Sequence, residues 1–335
     1  MTLLKMEGFD HLHSDDFVKK GFSEEYSVTT SSSYARYGGQ GAVAAASIDG
    51  FTWNTGVNKS TIYFGAAVKK QEGGSITYHA SYPIVRFIDE SAVIQVRIHV
   101  MSDYSIAAYQ GDGTLLGASA ADVFLDLKWQ YLEVKVTISA TVGEVTVRIN
   151  GTQVLNLTSQ DTKNGSDYIR DIRCGCINAS RRVYYDDMYI DDAQFNGDCR
   201  VKTFVPDSIS STNNSFTASA GNKDECVDEE EQNGDTDYVT SNTLNHKQGF
   251  GITTGALGTV QAIQLNNCCR IDEVGDRKIT PLIRSNGTDY QGTETELITA
   301  EYLFESEIFE TDPDDSNPWT QTKLEAAEFG LEITT

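Results

Sequence analysis

The sequence predicts an all-β protein made of two antiparallel sandwiches, the second smaller and carrying one short helix, and three observations carry that expectation. The first is strict alternation from Tyr131 to Ile138, with Leu132, Val134, Val136 and Ile138 on one face and Tyr131, Glu133, Lys135 and Thr137 on the other. That is the period of a half-buried strand. The second is a turn written into the chain. After Gly143, Val145, Val147 and Ile149 repeat the alternation, Asn150-Gly151 supplies the positive φ angles of a two-residue hairpin, and Val154 and Leu157 resume the pattern. Lys128 to Leu157 therefore predicts three consecutive strands with one wet face. The third is punctuation: 28 glycines and dense Ser/Thr/Asn/Asp clusters divide the 335 residues at the spacing of strands and turns. Short helices are predicted only over Asp15 to Phe22 and Pro318 to Phe329.

In chain order, strands are predicted at Ala42 to Ser47, Thr61 to Val68, Ile84 to Ile88, Ala92 to Met101 and Ser105 to Tyr109. The triple run follows, and Val183 to Asp192 closes the set. So many strands in under two hundred residues imply two sheets packed face to face, because a parallel fold needs crossover helices that this stretch lacks. A chain of this length exceeds one core. The expected division is residues 1–198 and 199–335. In the second part Asp207 to Lys247 is polar and reads as exposed loops. Strands return at Thr259 to Arg270, Lys278 to Arg284, Leu297 to Ile308 and Phe329 to Thr335. Asn317 is placed to cap a helix that starts at Pro318.

A formal charge of −23 argues against nucleic acid and anionic membrane surfaces as partners, since both require clustered Lys and Arg. The acid falls in clusters, Asp224 to Asp237 and Glu294 to Asp315, which read as solvated loops that keep copies apart. The opening Met1 to Glu7 lacks a basic segment followed by an apolar one, so a protein folded in a cytoplasm without a secretory signal is expected. No apolar run reaches membrane-spanning length. On that reading, Asn58-Lys-Ser60 and Asn178-Ala-Ser180 are chance glycosylation triplets.

The six cysteines, at 174, 176, 199, 226, 268 and 269, lack the paired spacing of a zinc site and read as free, half-buried thiols. Of the five histidines, at 11, 13, 79, 99 and 246, only His11 and His13 form a local pair. With Asp10, Asp15 and Asp16 beside it, that pair has the chemistry to hold a divalent ion, yet no third ligand is set by spacing. An exposed turn leading into a short helix is the expected reading.

Gly8-Phe9-Asp10-His11, the Trp129-x-Tyr131-Leu-Glu-Val-Lys-Val run with its Asn150-Gly151 turn, and Tyr185-Asp-Asp-Met-Tyr-Ile-Asp-Asp192 together resemble a concanavalin-type, laminin-G-like jelly roll. Joined to a second part that begins Gly197-Asp-Cys-Arg-Val201 and runs through Trp319-Thr320 to Glu328-Phe329-Gly330, the whole is similar to a group of tailed-bacteriophage virion structural proteins. That resemblance implies a capsid- or tail-associated component located in the virion and acting by protein–protein binding. The implied partners are other virion proteins and copies of itself. Six cysteines are unusual for such a protein and are not explained by it.

Concanavalin-type sandwiches include glycoside hydrolases, and a retaining member carries Glu-x-Asp-x-x-Glu to set two carboxylates about 5–5.5 Å apart. The nearest stretch here, Glu310-Thr-Asp312-Pro313-Asp314-Asp315, ends in Asp and contains a proline that suits a turn. No catalytic residue and no enzymatic activity are therefore expected. The laminin-G likeness also implies calcium as an alternative at Asp186 and Asp187. Strand parity puts Asp186 on the side of Met188 and Ile190, which draws it inward, and a buried carboxylate needs backbone N–H donors or an arginine such as Arg181 or Arg182. One strand supplies too few oxygens for calcium, so no metal or other cofactor is expected. Tyrosines at 34, 37, 63, 78, 82, 104 and 109 offer rings on which host surface glycan can stack, which makes a carbohydrate-binding adhesion module the leading alternative.

Overall fold

The computed structural model describes residues 3–24, 28–44, 50–70, 83–175, 182–273, 275, 277–297 and 300–335. Cys176, Arg181, His79, Tyr78, Tyr82, the Asn178-Ala-Ser180 triplet and the end of the strand expected over Ala42 to Ser47 lie outside the described residues. Packing divides the chain into two units, Met1–Lys202 and Thr203–Thr335. Both are built from antiparallel strands. Among the described residues no helix is long and apolar enough to cross a membrane.

In the first unit the described strands form two large sheets. The eight-stranded sheet runs, in spatial order, Thr152–Gln160, Gly143–Ile149, Gln130–Thr137, Thr61–Lys70, Val183–Asp191, Gly41–Ala44 and Val28–Ser31, with Leu3–Glu7 also paired to Val183–Asp191. The seven-stranded sheet runs Leu115–Ala118, Ile106–Gln110, Ile94–Val100, Val85–Ile88, Ile169–Cys174, Phe51–Lys59 and Phe22–Glu24. The expected hairpin forms as written: Asn150 and Gly151 take φ of 50° and 77°. The Asn150 side chain also accepts the Tyr131 amide at 2.8 Å. One residue thus makes the turn and ties down the first strand of the three.

Leu132, Val134 and Val136 lie opposite Ala66, Phe64 and Ile62, and all six are fully buried. Phe9, Phe17, Phe22 and Phe51 pack ring on ring, with centroids 5.2 to 6.2 Å apart. Each such ring contributes roughly 1.5–3 kcal/mol by leaving water. Tyr185 crosses the core, and its hydroxyl donates to the Ile84 carbonyl at 2.7 Å with the Gly175 carbonyl at 2.9 Å.

In this unit one face and one helix differ from expectation. The wet face of Gln130–Thr137 is dry over half its length, because residues 193–202 fold back across it and leave Tyr131 and Glu133 fully buried. The Gly197 amide donates to Glu133 at 2.9 Å, the Asn196 amide to the Tyr189 hydroxyl at 3.0 Å, and Phe195 packs edge-on to Tyr63. The helix expected over Asp15 to Phe22 is only a 3-10 turn, Ser14–Asp16. Phe17 is drawn into the aromatic core and Phe22 already begins a strand.

In the second unit the larger sheet runs Ser208–Asn214, Lys247–Gly251, Glu328–Ile333, Arg277–Ser285 and Thr288–Gln291, with Thr295–Leu297 also paired to Arg277–Ser285. Ser208–Asn214 is an edge strand in a stretch whose polar composition reads as loop. Ile263–Cys269 and Leu303–Phe309 form a separate ribbon. Ile283, Trp319, Leu324 and Ala327 make a buried cluster flanked by Ile263, Phe309 and Phe329. The helix is shorter than expected, Gln321–Ala326, and Thr320 caps it by accepting the Lys323 amide. Pro318 instead bridges to Thr311, and Trp319 turns inward to donate to the Phe309 carbonyl at 3.0 Å.

Candidate functional site

The closing strand departs from simple parity. Asp186 pairs with Ala67 and Tyr189 with Gly65, so three steps along Val183–Asp191 match two along Thr61–Lys70. The extra residue is taken up at Asp187, whose φ is 49°. Such a bulge reverses which side chains face in. Tyr185 lies inward opposite Val68 before it, and Ile190 lies inward opposite Phe64 after it. Asp186 therefore sits with Tyr184 on the outward face rather than with Met188 and Ile190, and is nonetheless buried.

Donors already meet both carboxylates. Asp186 accepts the Arg36 amide at 2.7 Å and the Asp187 amide at 2.8 Å. Asp187 accepts the Val201 amide at 2.8 Å and the Arg36 guanidinium at 3.4 Å, while Arg36 also grips Asp198 through two bonds of 2.7 and 2.8 Å. The arginine seen here is Arg36, from a turn 150 residues earlier in the chain. Burial raises both carboxyl pKa values above the ordinary range, and the neighbouring Asp187 charge raises that of Asp186 further. Among the described residues no group of three or more His, Cys, Asp or Glu is arranged to hold a metal ion.

The other residues singled out from sequence scatter. His11 is buried 3.6 Å from Glu7, and burial holds its pKa down at about 4. His13 is exposed and caps the following turn, so the two rings do not share a site. Asp312 and Asp315 both pair with Lys323 in a turn closed by the Asp312 amide on the Asn317 carbonyl at 2.9 Å. The thiols at 174, 199, 226, 268 and 269 form no disulfide. Tyr37 is exposed beneath Arg36 and Arg200, and Tyr104 lies under Lys70.

One tyrosine from that set, Tyr34, takes part in a platform that the sequence does not reveal. Lys69 and Tyr184 are directly opposite on the outward face of the eight-stranded sheet, and Trp129 flanks them one step before the Gln130–Val68 pair. The Lys69 ammonium lies 4.8 Å from the centre of the Trp129 ring and 4.7 Å from that of Tyr184. Tyr34 continues the row, its ring 5.3 Å from that of Tyr184. All four side chains are half-buried.

Their polar ends set them apart from the structural tyrosines. Tyr131, Tyr185 and Tyr189 spend their hydroxyls on Asp187, Ile84 and Glu133. Among the described residues no hydrogen-bond partner engages the Trp129 indole N–H or the hydroxyls of Tyr34 and Tyr184. Flat apolar faces edged by unspent donors are the makings of a site for a ligand with both apolar faces and hydroxyls.

The other sheet carries a second unforeseen row. Arg173 lies opposite Arg86, Arg86 opposite Arg97, and Arg97 opposite Tyr109. Arg173 donates to Thr52 at 3.0 Å and Arg97 to the Gly111 carbonyl. Arg86 and Arg97 retain only 2% and 9% of their exposure, so this row is enclosed where the aromatic platform is open. Each arginine stands between apolar residues, as in Val85-Arg86-Phe87, Val96-Arg97-Ile98 and Ile172-Arg173-Cys174. That repeated pattern is the signal by which the row is legible in the sequence.

No protein-family model matches the chain, and no curated protein matches it. Solved structures similar to part of it include an endo-β-1,4-glucuronan lyase from the fungus Trichoderma reesei, at 14% identity and a TM-score of 0.36 over 52% of this chain and 94% of that one. A carbohydrate esterase from the Shiga toxin-encoding bacteriophage phi24B is similar at 12% identity and a TM-score of 0.35, over 57% of this chain and all of that one. Domain 4 of AbnA, an extracellular arabinanase from Geobacillus stearothermophilus solved with arabinotriose, is similar at 14% identity and a TM-score of 0.37, over 57% of this chain and 92% of that one.

Proposed function

We propose that this chain is a binding protein without catalytic activity, which holds carbohydrate on the Trp129–Lys69–Tyr184–Tyr34 platform. The observation that carries the reading is the contrast in polar ends. Tyrosines that serve the fold have their hydroxyls committed to protein acceptors, whereas the platform rings keep theirs for solvent or ligand. A pyranose ring offers an apolar face to stack and equatorial hydroxyls to bond, which matches that arrangement. The particle setting, with virion proteins and copies of the chain as further partners, comes from the sequence resemblance to phage virion components and belongs to the same proposal.

Equilibrium binding of the purified chain to a panel of bacterial surface polysaccharides tests it, beside an assay for released reducing sugar. Trp129→Ala or Tyr184→Ala is expected to weaken binding at least about tenfold, some 1.4 kcal/mol, with the far-ultraviolet circular dichroism unchanged. Binding that survives both substitutions, or polysaccharide cleavage by the wild type, would overturn the reading.

A further inference from the structure

We infer that the platform selects acidic sugars, uronates or sialates, through Lys69; this rests on the glycan-binding reading above. The chain carries 49 acidic against 26 basic side chains. Several lysines sit beside a carboxylate, as Lys59 does with Asp192, Lys70 with Asp126, Lys135 with Glu144 and Lys323 with Asp315. Lys69 has aromatic rings in that place. Among the described residues no carboxylate lies within ion-pair distance of its ammonium, and its close neighbours are the faces of two aromatic rings.

Ring faces attract a cation, but they leave its three N–H donors without acceptors. The cost of that placement shows in its basicity, which burial holds below the usual lysine value. A carboxylate on the rim of a stacked sugar would supply what is missing, a charged acceptor at the edge of the apolar surface. A neutral sugar would stack equally well but would offer the ammonium only hydroxyls. The −23 charge repels an anionic ligand at long range, but at physiological ionic strength the field of distant acids is screened beyond about 8 Å, so a cation at contact range decides the preference.

The test compares an oligoglucuronate with the same oligosaccharide after reduction of its carboxyl groups to alcohols, so that the two probes differ only in charge. Wild type is expected to bind the acidic probe at least tenfold more tightly. Lys69→Gln should abolish that preference, so that the two probes bind alike, Lys69→Arg should restore it, and Trp129→Ala should weaken both probes. Equal binding of the two probes by wild type, with loss of both in Trp129→Ala, would overturn the acidic selection and leave the platform standing. Binding of either probe that ignores Trp129→Ala would remove the glycan-binding reading itself, and so would failure of wild type to bind either probe or any polysaccharide of the panel.

Discussion

Gly65 and Tyr189 lie directly opposite each other on neighbouring strands, and the tyrosine ring fills the space that a Cβ on Gly65 would require. Tyr189 thereby lies flat enough to reach Glu133 at 2.7 Å, and Glu133 in turn holds the Gly197 amide. Gly65→Ala is expected to cost about 1–3 kcal/mol, the range for overpacking a filled site. Chemical denaturation measures it, and hydrogen exchange at Gly197 should rise with the loss. A neutral effect would show that the ring moves aside freely.

Arg36 joins Asp187 and Asp198 and lends its own amide to Asp186. Arg36→Met keeps the backbone donor and removes the guanidinium, leaving Asp187 buried with one fewer partner. Because Asp198 is half exposed, the expected loss is about 2–3 kcal/mol, at or just below the range for breaking a buried pair. An urea midpoint within error of wild type would contradict the role given to this arginine.

Added calcium and chelators are expected to leave the melting temperature unchanged. All four oxygens of Asp186 and Asp187 already accept N–H donors, so an ion would have to displace them. A ligand that binds only the folded state raises stability by roughly 2.7 kcal/mol at a hundredfold excess over its dissociation constant. A rise of several degrees on adding calcium would restore these aspartates as metal ligands.

His11 makes stability fall on acidification. Burial lowers its folded pKa to about 4, below the unfolded value near 6.5. The unfolded chain therefore binds the proton first, and the contribution of a neutral His11 is complete above about pH 6.5 and lost as pH falls toward 4, at most on the order of 3 kcal/mol. Asp186 and Asp187, whose pKa values are raised, act in the opposite sense and lose stability as pH rises from about 4. His11→Gln isolates the first effect. The difference in melting temperature between wild type and variant should shift in favour of the variant between pH 7 and pH 4.5, and a constant difference would contradict it.

What was legible in the sequence was local. Alternation and an Asn-Gly turn are properties of neighbouring residues, and the triple strand from Gln130 to Gln160 follows from them. The bulge at Asp187 was not legible, because a parity argument assumes regular pairing and one extra residue reverses its answer. The cover formed by residues 193–202 was hidden for a related reason. Glu133 and Tyr131 look like solvent-facing residues until a segment some sixty positions later supplies their partners. The platform depends on the register of strands far apart in the chain, which sets Lys69 against Tyr184 and Trp129 beside them both. Tyr34 is legible in the sequence as a ring available to sugars, but the row it belongs to is not.

The same cover gives the first unit a mechanical property. A pull arriving through Lys202 is shared among the Val201 amide on Asp187, the Arg36–Asp198 pair and the Gly197 amide on Glu133. These bonds anchor to three separate strands or turns, so tension spreads across the sheet instead of peeling its closing strand from one end. The exit of the chain from this unit is thereby a strain relief, which takes load off the end of Val183–Asp191 where the covalent chain leaves it.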